Sequence, residues 1–148
     1  MLNTKFILNA ILDKCSTAIT LVTTVVLPEQ KIDVQTLVKW VDVSVITFNP
    51  RAGSRIDKDT IDLDVMFRVW CKKTTNAYEH QKIAAEIATN FEHSAIPIYD
   101  NITVGSPRIG FIDFKEANTA NLTTQSESQL RTNTRCITVS FRATAQEF

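Results

Sequence analysis

Apolar residues along the chain change period several times, and each change predicts an element. Leu2, Phe6, Ile7, Ala10 and Ile11 recur at three- and four-residue steps, which predicts an amphipathic helix over 2–16 with Asn3 or Thr4 as its cap. The segment AITLVTTVVLPEQ, 18–30, is rich in β-branched residues that suit a pleated surface, and Pro28 closes it; it reads as a strand or extended arm. Period two then takes over. In TLVKWVDVSVITF, 36–48, Val41, Val43 and Val45 share one face, and Trp40, Asp42, Ser44 and Ile46 share the other. TIDLDVMFRVWCK, 60–72, alternates most strongly. Ile61, Leu63, Val65, Phe67, Val69 and Cys71 face one way, and Asp62, Asp64, Met66, Arg68, Trp70 and Lys72 the other. Between these strands NPRAGSRIDKD, 49–59, collects turn formers and charges. It is longer than a tight hairpin needs, so a projecting loop is expected.

Helical spacing returns at 77–93, where Ala77, His80, Ile83, Ala84, Ile87, Ala88 and Phe91 form one stripe. Asn76 with Glu79 three residues later reads as a capping box, and Pro97 bars continuation. AIPIYDNITV, 95–104, and RIGFIDF, 108–114, read as strands joined by a Gly105-Ser106-Pro107 turn. Residues 115–134 are polar, crowded with Thr, Asn, Ser and Gln, and read as a loop or arm. The stretch 135–147 alternates again, with Ile137, Val139, Phe141 and Ala143 on one face. The expected order is α-β-β-β-α-β-β-β: one α+β domain spanning 1–148. Its antiparallel sheet, built around a long hairpin from 36–48 and 60–72, packs against one or two helices.

Composition narrows the class. At 148 residues such a chain buries roughly 68–70% of its extended surface, enough for a real core. Lys plus Arg and Asp plus Glu both number 16, so the basic surplus of a dedicated nucleic-acid binder is missing. Only 3 glycines occur, and neither a GxGxxG nor a GxxxxGK[ST] phosphate loop is present. The apolar stripe at the start is short and interrupted by Asn3, Asn9 and Asp13, so neither a secretory leader nor a membrane span is expected there, and folding in a cytosol is.

Candidate chemistry is sparse. Cys15, Cys71 and Cys136 stand about sixty residues apart without a CxxC pair, which suits small core residues in a reducing compartment. Cys71 and His80 are a conceivable nucleophile–base pair, but both fall on stripes expected to be core. His80 and His93 sit thirteen residues apart on one helix and cannot share a metal there. Asp62 and Asp64, about 7 Å apart on one strand face, stand beside Arg68 and read as a solvated or paired face. No nucleophile elbow or triad is visible, and no cofactor is expected. Apolar residues on the outward strand faces are harder to account for: Trp40, Ile46 and Phe48 on one, Met66 and Trp70 on the other. Tryptophan and methionine are enriched at interfaces. Trp40, Phe48, Met66 and Trp70 are therefore candidate contact residues, alongside Arg51, Arg55 and Lys58 in the projecting loop.

The stretch DLDVMFRVWCKKTTNAYEHQKIAAEIATNFE and the closing CITVSFRATAQEF, preceded by an N-terminal helix and a long hairpin, resemble the tail terminator (tail completion, or tail-to-head joining) proteins of long-tailed bacteriophages. The resemblance runs over most of the chain, is clearest at 61–92 and 136–146, and does not extend to 115–134. It implies a structural virion protein without enzymatic activity or cofactor. Such a protein forms a ring, usually a hexamer, that is assembled in the host cytoplasm and sits at the head-proximal end of the tail. The ring caps the tail tube, stops its polymerisation and offers a docking surface to the head connector or neck. The genome would pass through it without specific recognition. The same pattern is compatible with another head–tail connector, neck or baseplate adaptor, and more remotely with a small enzyme using Cys71 and His80.

Overall fold

A computed structural model describes residues 2–28, 30–33, 35–47, 51–52, 59–72, 78–121 and 134–148, with backbone alone at 47, 51, 52, 59 and 121. The elements are α1 (Thr4–Ala18), β1 (Val25–Val26), β2 (Lys39–Thr47), β3 (Arg51–Ala52) and β4 (Asp59–Lys72), followed by α2 (Glu79–Phe91), β5 (Ala95–Tyr99), β6 (Arg108–Asn121) and β7 (Thr134–Glu147). The fold is mixed α+β: one sheet in the order β1-β2-β4-β7-β6-β5, with β3 also paired to β4. Both helices contribute to a single core with one face of that sheet.

Helix α1 starts where expected. The Asn3 side chain accepts a hydrogen bond from the Lys5 N–H at 2.9 Å. It runs two residues beyond the expected end, because the buried stripe Phe6, Ile7, Ala10, Ile11 and Cys15 continues at Ala18 with helical spacing. The β-branched run after it therefore yields only the two-residue β1. That strand pairs parallel to β2, so the sheet is mixed rather than wholly antiparallel. Ile19 and Val22 are buried in the core without belonging to a strand.

Strands β2 and β4 pair antiparallel, with Trp40 opposite Trp70 and Val43 opposite Phe67. The connecting segment adds β3 to the same edge of β4, so the element order carries one strand more than expected. Phe48, Arg55 and Lys58 lie outside the described residues, as do Asn76 of the expected capping box and Ala77 of the expected helical stripe. The helical stripe itself holds: His80, Ile83, Ala84, Ile87 and Phe91 are buried on α2. The helix ends with His93 in the left-handed region at φ 53°, and the Glu92 N–H donates to the Ala88 carbonyl.

Two expectations about the C-terminal half are corrected. Strand β6 does not stop at 114. It continues to Asn121 through residues expected to be loop, because β7 offers it a ladder: Ala117 lies opposite Phe141 and Asn121 opposite Ile137, after a bulge between Phe114 and Ala117. Strand β5 ends at Tyr99 rather than 104. The Asp100 carboxylate there accepts hydrogen bonds from the backbone N–H groups of Ile102 (3.0 Å) and Thr103 (3.1 Å) and from the Thr103 hydroxyl (2.6 Å). These bonds, which also hold the Asp100 carboxyl below its usual range, fold 100–107 into a compact turn.

Four phenylalanines lock α2 onto the sheet. Phe91 lies 4.8 Å from Phe67 of β4, 5.3 Å from Phe114 of β6 and 6.0 Å from Phe141 of β7, centroid to centroid. All four are essentially inaccessible to solvent. A second tie joins the helices. Glu86 accepts from the Thr20 N–H (2.6 Å), the Thr20 hydroxyl (2.6 Å) and the Leu21 N–H (3.2 Å). Asn90, one turn along, donates to the Ala18 carbonyl at 2.8 Å and so satisfies an acceptor that the end of α1 leaves open. Partial burial of Glu86 opposes its ionisation, but these three donors outweigh it and hold the carboxyl below its ordinary value.

Phe91→Ala should cost about 3–5 kcal/mol, read as a lower urea midpoint, since it empties the junction of four rings. Glu86→Ala should cost about 1 kcal/mol at pH 7, because solvent reaches the site. The sign follows from a lowered folded-state value. The contribution is full above the ordinary glutamate range and fades as pH falls below about 4.3, so wild type and variant should converge in acid denaturation.

Candidate functional site

Both helices pack on one face of the sheet, and among the described residues no helix covers the other, so the alternating residues on that second face are the natural place to look for a site. Reading across β2, β4 and β7, the rows are Trp40–Trp70–Cys136, Asp42–Arg68–Thr138, Ser44–Met66–Ser140 and Ile46–Asp64–Arg142. The row at one end is closed. Trp40 and Trp70 stack, with centroids 6.0 Å apart and planes 12° from parallel. Trp40 is only 4% exposed and Cys136 is buried. Trp40 thus has little surface to offer a partner, whereas Trp70 and Met66 are half-buried. The Trp70 Nε1–H donates to the Asp42 carboxylate at 3.0 Å. Burial beside the tryptophans pushes the Asp42 carboxyl up, while the indole bond and the Arg68 charge pull the other way without cancelling it.

The rest of the face is open and of mixed charge. Asp42 stands across from Arg68, and Asp64 across from Arg142. A shallow trough of about 300 Å³ runs over Ser44, Met66, Ser140 and Asn118. A second, of about 460 Å³, lies over Asp62, Asp64, Lys115 and Arg142. Asp62 and Asp64 therefore lie among basic groups on an open surface. Ile46, at the rim, is 57% exposed.

The sheet edges are only partly covered. β1 reaches Val41 and Asp42 of β2, and β5, which carries Pro97 at its centre, reaches β6 only as far as Asp113. Among the described residues no strand pairs with the outer edge of β2 from Val43 or of β6 from Glu116 onward.

Two apolar surfaces went unnoticed in the sequence. The turn 100–107 presents Ile102 and Val104, 71% and 98% exposed, on a backbone fixed by Asp100. Asp100-Asn101 was the available signal, since such a pair marks a turn. The second surface is a hollow of about 210 Å³ between α2 and the far ends of β6 and β7, lined by Gln81, Ala84, Ala85, Ala88, Thr119 and Ile137. Its signal was the alanine run at 84–85 and 88, which leaves the helix flank low.

The residues considered for chemistry are dispersed or enclosed. Cys71 and Cys136 are buried, and burial pushes each thiol up to about 11; for Cys71 the Lys39 charge only partly offsets this. Cys15 is pushed up to about 12. His80 is 3% exposed on the inner face of α2, while His93 is exposed beside Glu92 at 3.7 Å. Among the described residues, no three of His, Cys, Asp and Glu gather as metal ligands, and no helix is long and apolar enough to cross a membrane. No protein-family model matches the chain, and no curated protein sequence does.

The enclosed thiols generate a prediction. At pH 8 a thiol-specific aromatic disulfide should react far more slowly with the folded chain than with the chain in urea, where all three cysteines become reactive. Rapid labelling of one native cysteine would identify an accessible thiolate.

Proposed function

We propose that this chain is a structural assembly protein of a long-tailed phage, a tail terminator that closes into a ring, caps the tail tube and presents a docking surface to the head connector. One observation carries the reading. Large aliphatic side chains, Ile46, Ile102 and Val104 above all, stand in solvent on a chain whose charges balance. Scattered exposed apolar residues are ordinary, but an aliphatic pair on the tip of a hydrogen-bonded turn suits a contact. The open sheet face with its facing charges, and the pattern resemblance at 61–92 and 136–146, support the same reading. Equal numbers of acidic and basic residues mean that copies do not strongly repel. This role involves no catalysis. The half-buried Trp70 and Met66 remain contact candidates; Trp40 braces Trp70 from behind.

Light scattering after size exclusion, across a range of concentrations and then with purified tail-tube protein, tests this. The expected result is a closed species several times the 16.7 kDa chain mass, formed alone or on contact with tube ends, that halts tube growth. A chain that stays monomeric at high concentration and leaves tube growth unchanged would overturn the proposal.

A further inference from the structure

We infer that copies of this chain join edge to edge: the stretch 43–47 of β2 in one copy pairs antiparallel with 117–121 of β6 in the next, and the sheet runs on from subunit to subunit. This rests on the self-association proposed above and assigns the strands that would carry it.

Both stretches have backbone to offer. The Val41 N–H turns away from β4 and donates to the Thr24 carbonyl, beside β1, at 3.1 Å. Alternation along the strand turns the peptide groups of Val45 and Thr47 the same way, together with the Val43 carbonyl. After Val26 the chain turns, with the Gln30 N–H donating to the Leu27 carbonyl, and β1 goes no further along this edge. At the opposite border the last ties to β6 run from the Phe114 N–H to the Ser94 carbonyl (2.9 Å) and from the His93 N–H to the Lys115 carbonyl (3.3 Å). The Lys72 N–H donates to the Val38 carbonyl, and the same alternation carried across β4 and β7 turns the peptide groups of Ala117, Thr119 and Asn121 away from β7. Neither stretch holds a charge, a proline or a bulge, the devices by which an edge is usually kept from pairing.

The fit of these two edges to each other makes the partner a second copy. β2, β4, β7 and β6 are antiparallel in turn, so the border strands run in opposite directions and copies set side by side meet antiparallel. The rows Val43–Phe67–Val139–Thr119 and Val45–Val65–Phe141–Ala117 cross the sheet on one face. Residues with outward peptide groups thus share a face at both borders, and the pleat continues through the join. Matching the stretches end to end sets Val45 opposite Thr119 and Thr47 opposite Ala117. Within one subunit Thr119 is level with Val43, so each copy steps two residues along the next, a stagger of the kind a closed sheet requires. Beyond the join both strands bend. β6 has its bulge between Phe114 and Ala117, and the chain advances four residues from Thr47 to Arg51 against three from Leu63 to Thr60, so the neighbour's hairpin and β5 part there. A foreign strand would answer one edge. A second copy answers both, in a heterologous contact that repeats until it closes.

Paired cysteines test it. Ile46 and Asn118 are exposed on the outer face and fall opposite each other across the join, in a pair that exchanges no backbone bonds and brings Cα atoms to about 4.5 Å. Within one subunit β4 and β7 lie between them, and three strand spacings of about 4.8 Å put them beyond the reach of a disulfide. Ile46→Cys, Asn118→Cys and the double variant are oxidised mildly under conditions where wild type is assembled, with tube protein present if assembly needs it. The native cysteines are buried and should not interfere. Neither single variant should cross-link alone, their equal mixture should give a covalent dimer, and the double variant should give a ladder on a denaturing gel that ends at the ring. If Ile46→Cys itself prevents assembly, Ser44→Cys with Ala120→Cys, the next such pair on this face, gives the same readout. Assembled species that do not cross-link overturn the strand pairing while the ring reading stands. A dimer from either single variant alone means that like edges meet, and overturns it as well. A wild type that never assembles, with or without tube protein, sinks both proposals.

Discussion

The ring of Phe91 is the constraint on which the arrangement depends. It reaches from α2 into three strands at once, β4, β6 and β7, and meets one phenylalanine from each. A helix with a stripe of alanine and isoleucine could slide along a sheet; a bulky ring at its last turn cannot, because it fits between Phe67, Phe114 and Phe141 in one register only. With α2 pinned, Glu86 and Asn90 are placed to clasp the end of α1, and α1 in turn covers the remainder of the inner face. The apolar alternation of the strands thus makes a surface, and one aromatic side chain decides how that surface is covered.

The consequence for function is asymmetry between the two sides of the sheet. The inner face is dry and aromatic. The outer face is a patchwork of Asp, Arg, Ser and Asn around one buried tryptophan, with open troughs over it. The perturbed thiols lie in the interior and are held protonated, while the Asp42 carboxyl, pushed up by burial, lies on the outer face beside Trp70. Exposed apolar positions and facing charges are the features on which the assembly reading proposed above rests.

What could be read from the chain in advance follows from how each element is specified. β4 was legible because every second residue from Ile61 to Cys71 is apolar, and all six are buried. The inner stripe of α2 was legible for the same reason at period 3.6. The polar end of β6 was not. Lys115 to Asn121 carries almost no apolar side chain, and it is a strand because its backbone completes a ladder with β7, a fact of pairing rather than of composition. The run from Ile96 to Val104 looked continuous, but a single carboxylate at Asp100 ends it by capturing the next amides. Trp40 was assigned to the outward face, which it does occupy. Its burial depends on the cross-strand register that brings it opposite Trp70, and register is invisible until the strands are paired. The exposed turn at 100–107 and the hollow beside α2 escaped because each joins residues that mean little separately.

One topological fact bears on how the protein is made. β7 follows every other described element in the chain, yet it lies between β4 and β6 in the middle of the sheet. A nascent chain that has emerged as far as Asn121 holds two long strands with no partner between them, and Phe67 and Phe114 have no Phe141 to separate them from water. Such a chain must wait, exposing unpaired edges, until the ribosome releases the segment that zips the halves together. Shortening the chain from its C-terminal side would therefore remove a keystone, whereas loss of β1 would only trim a border.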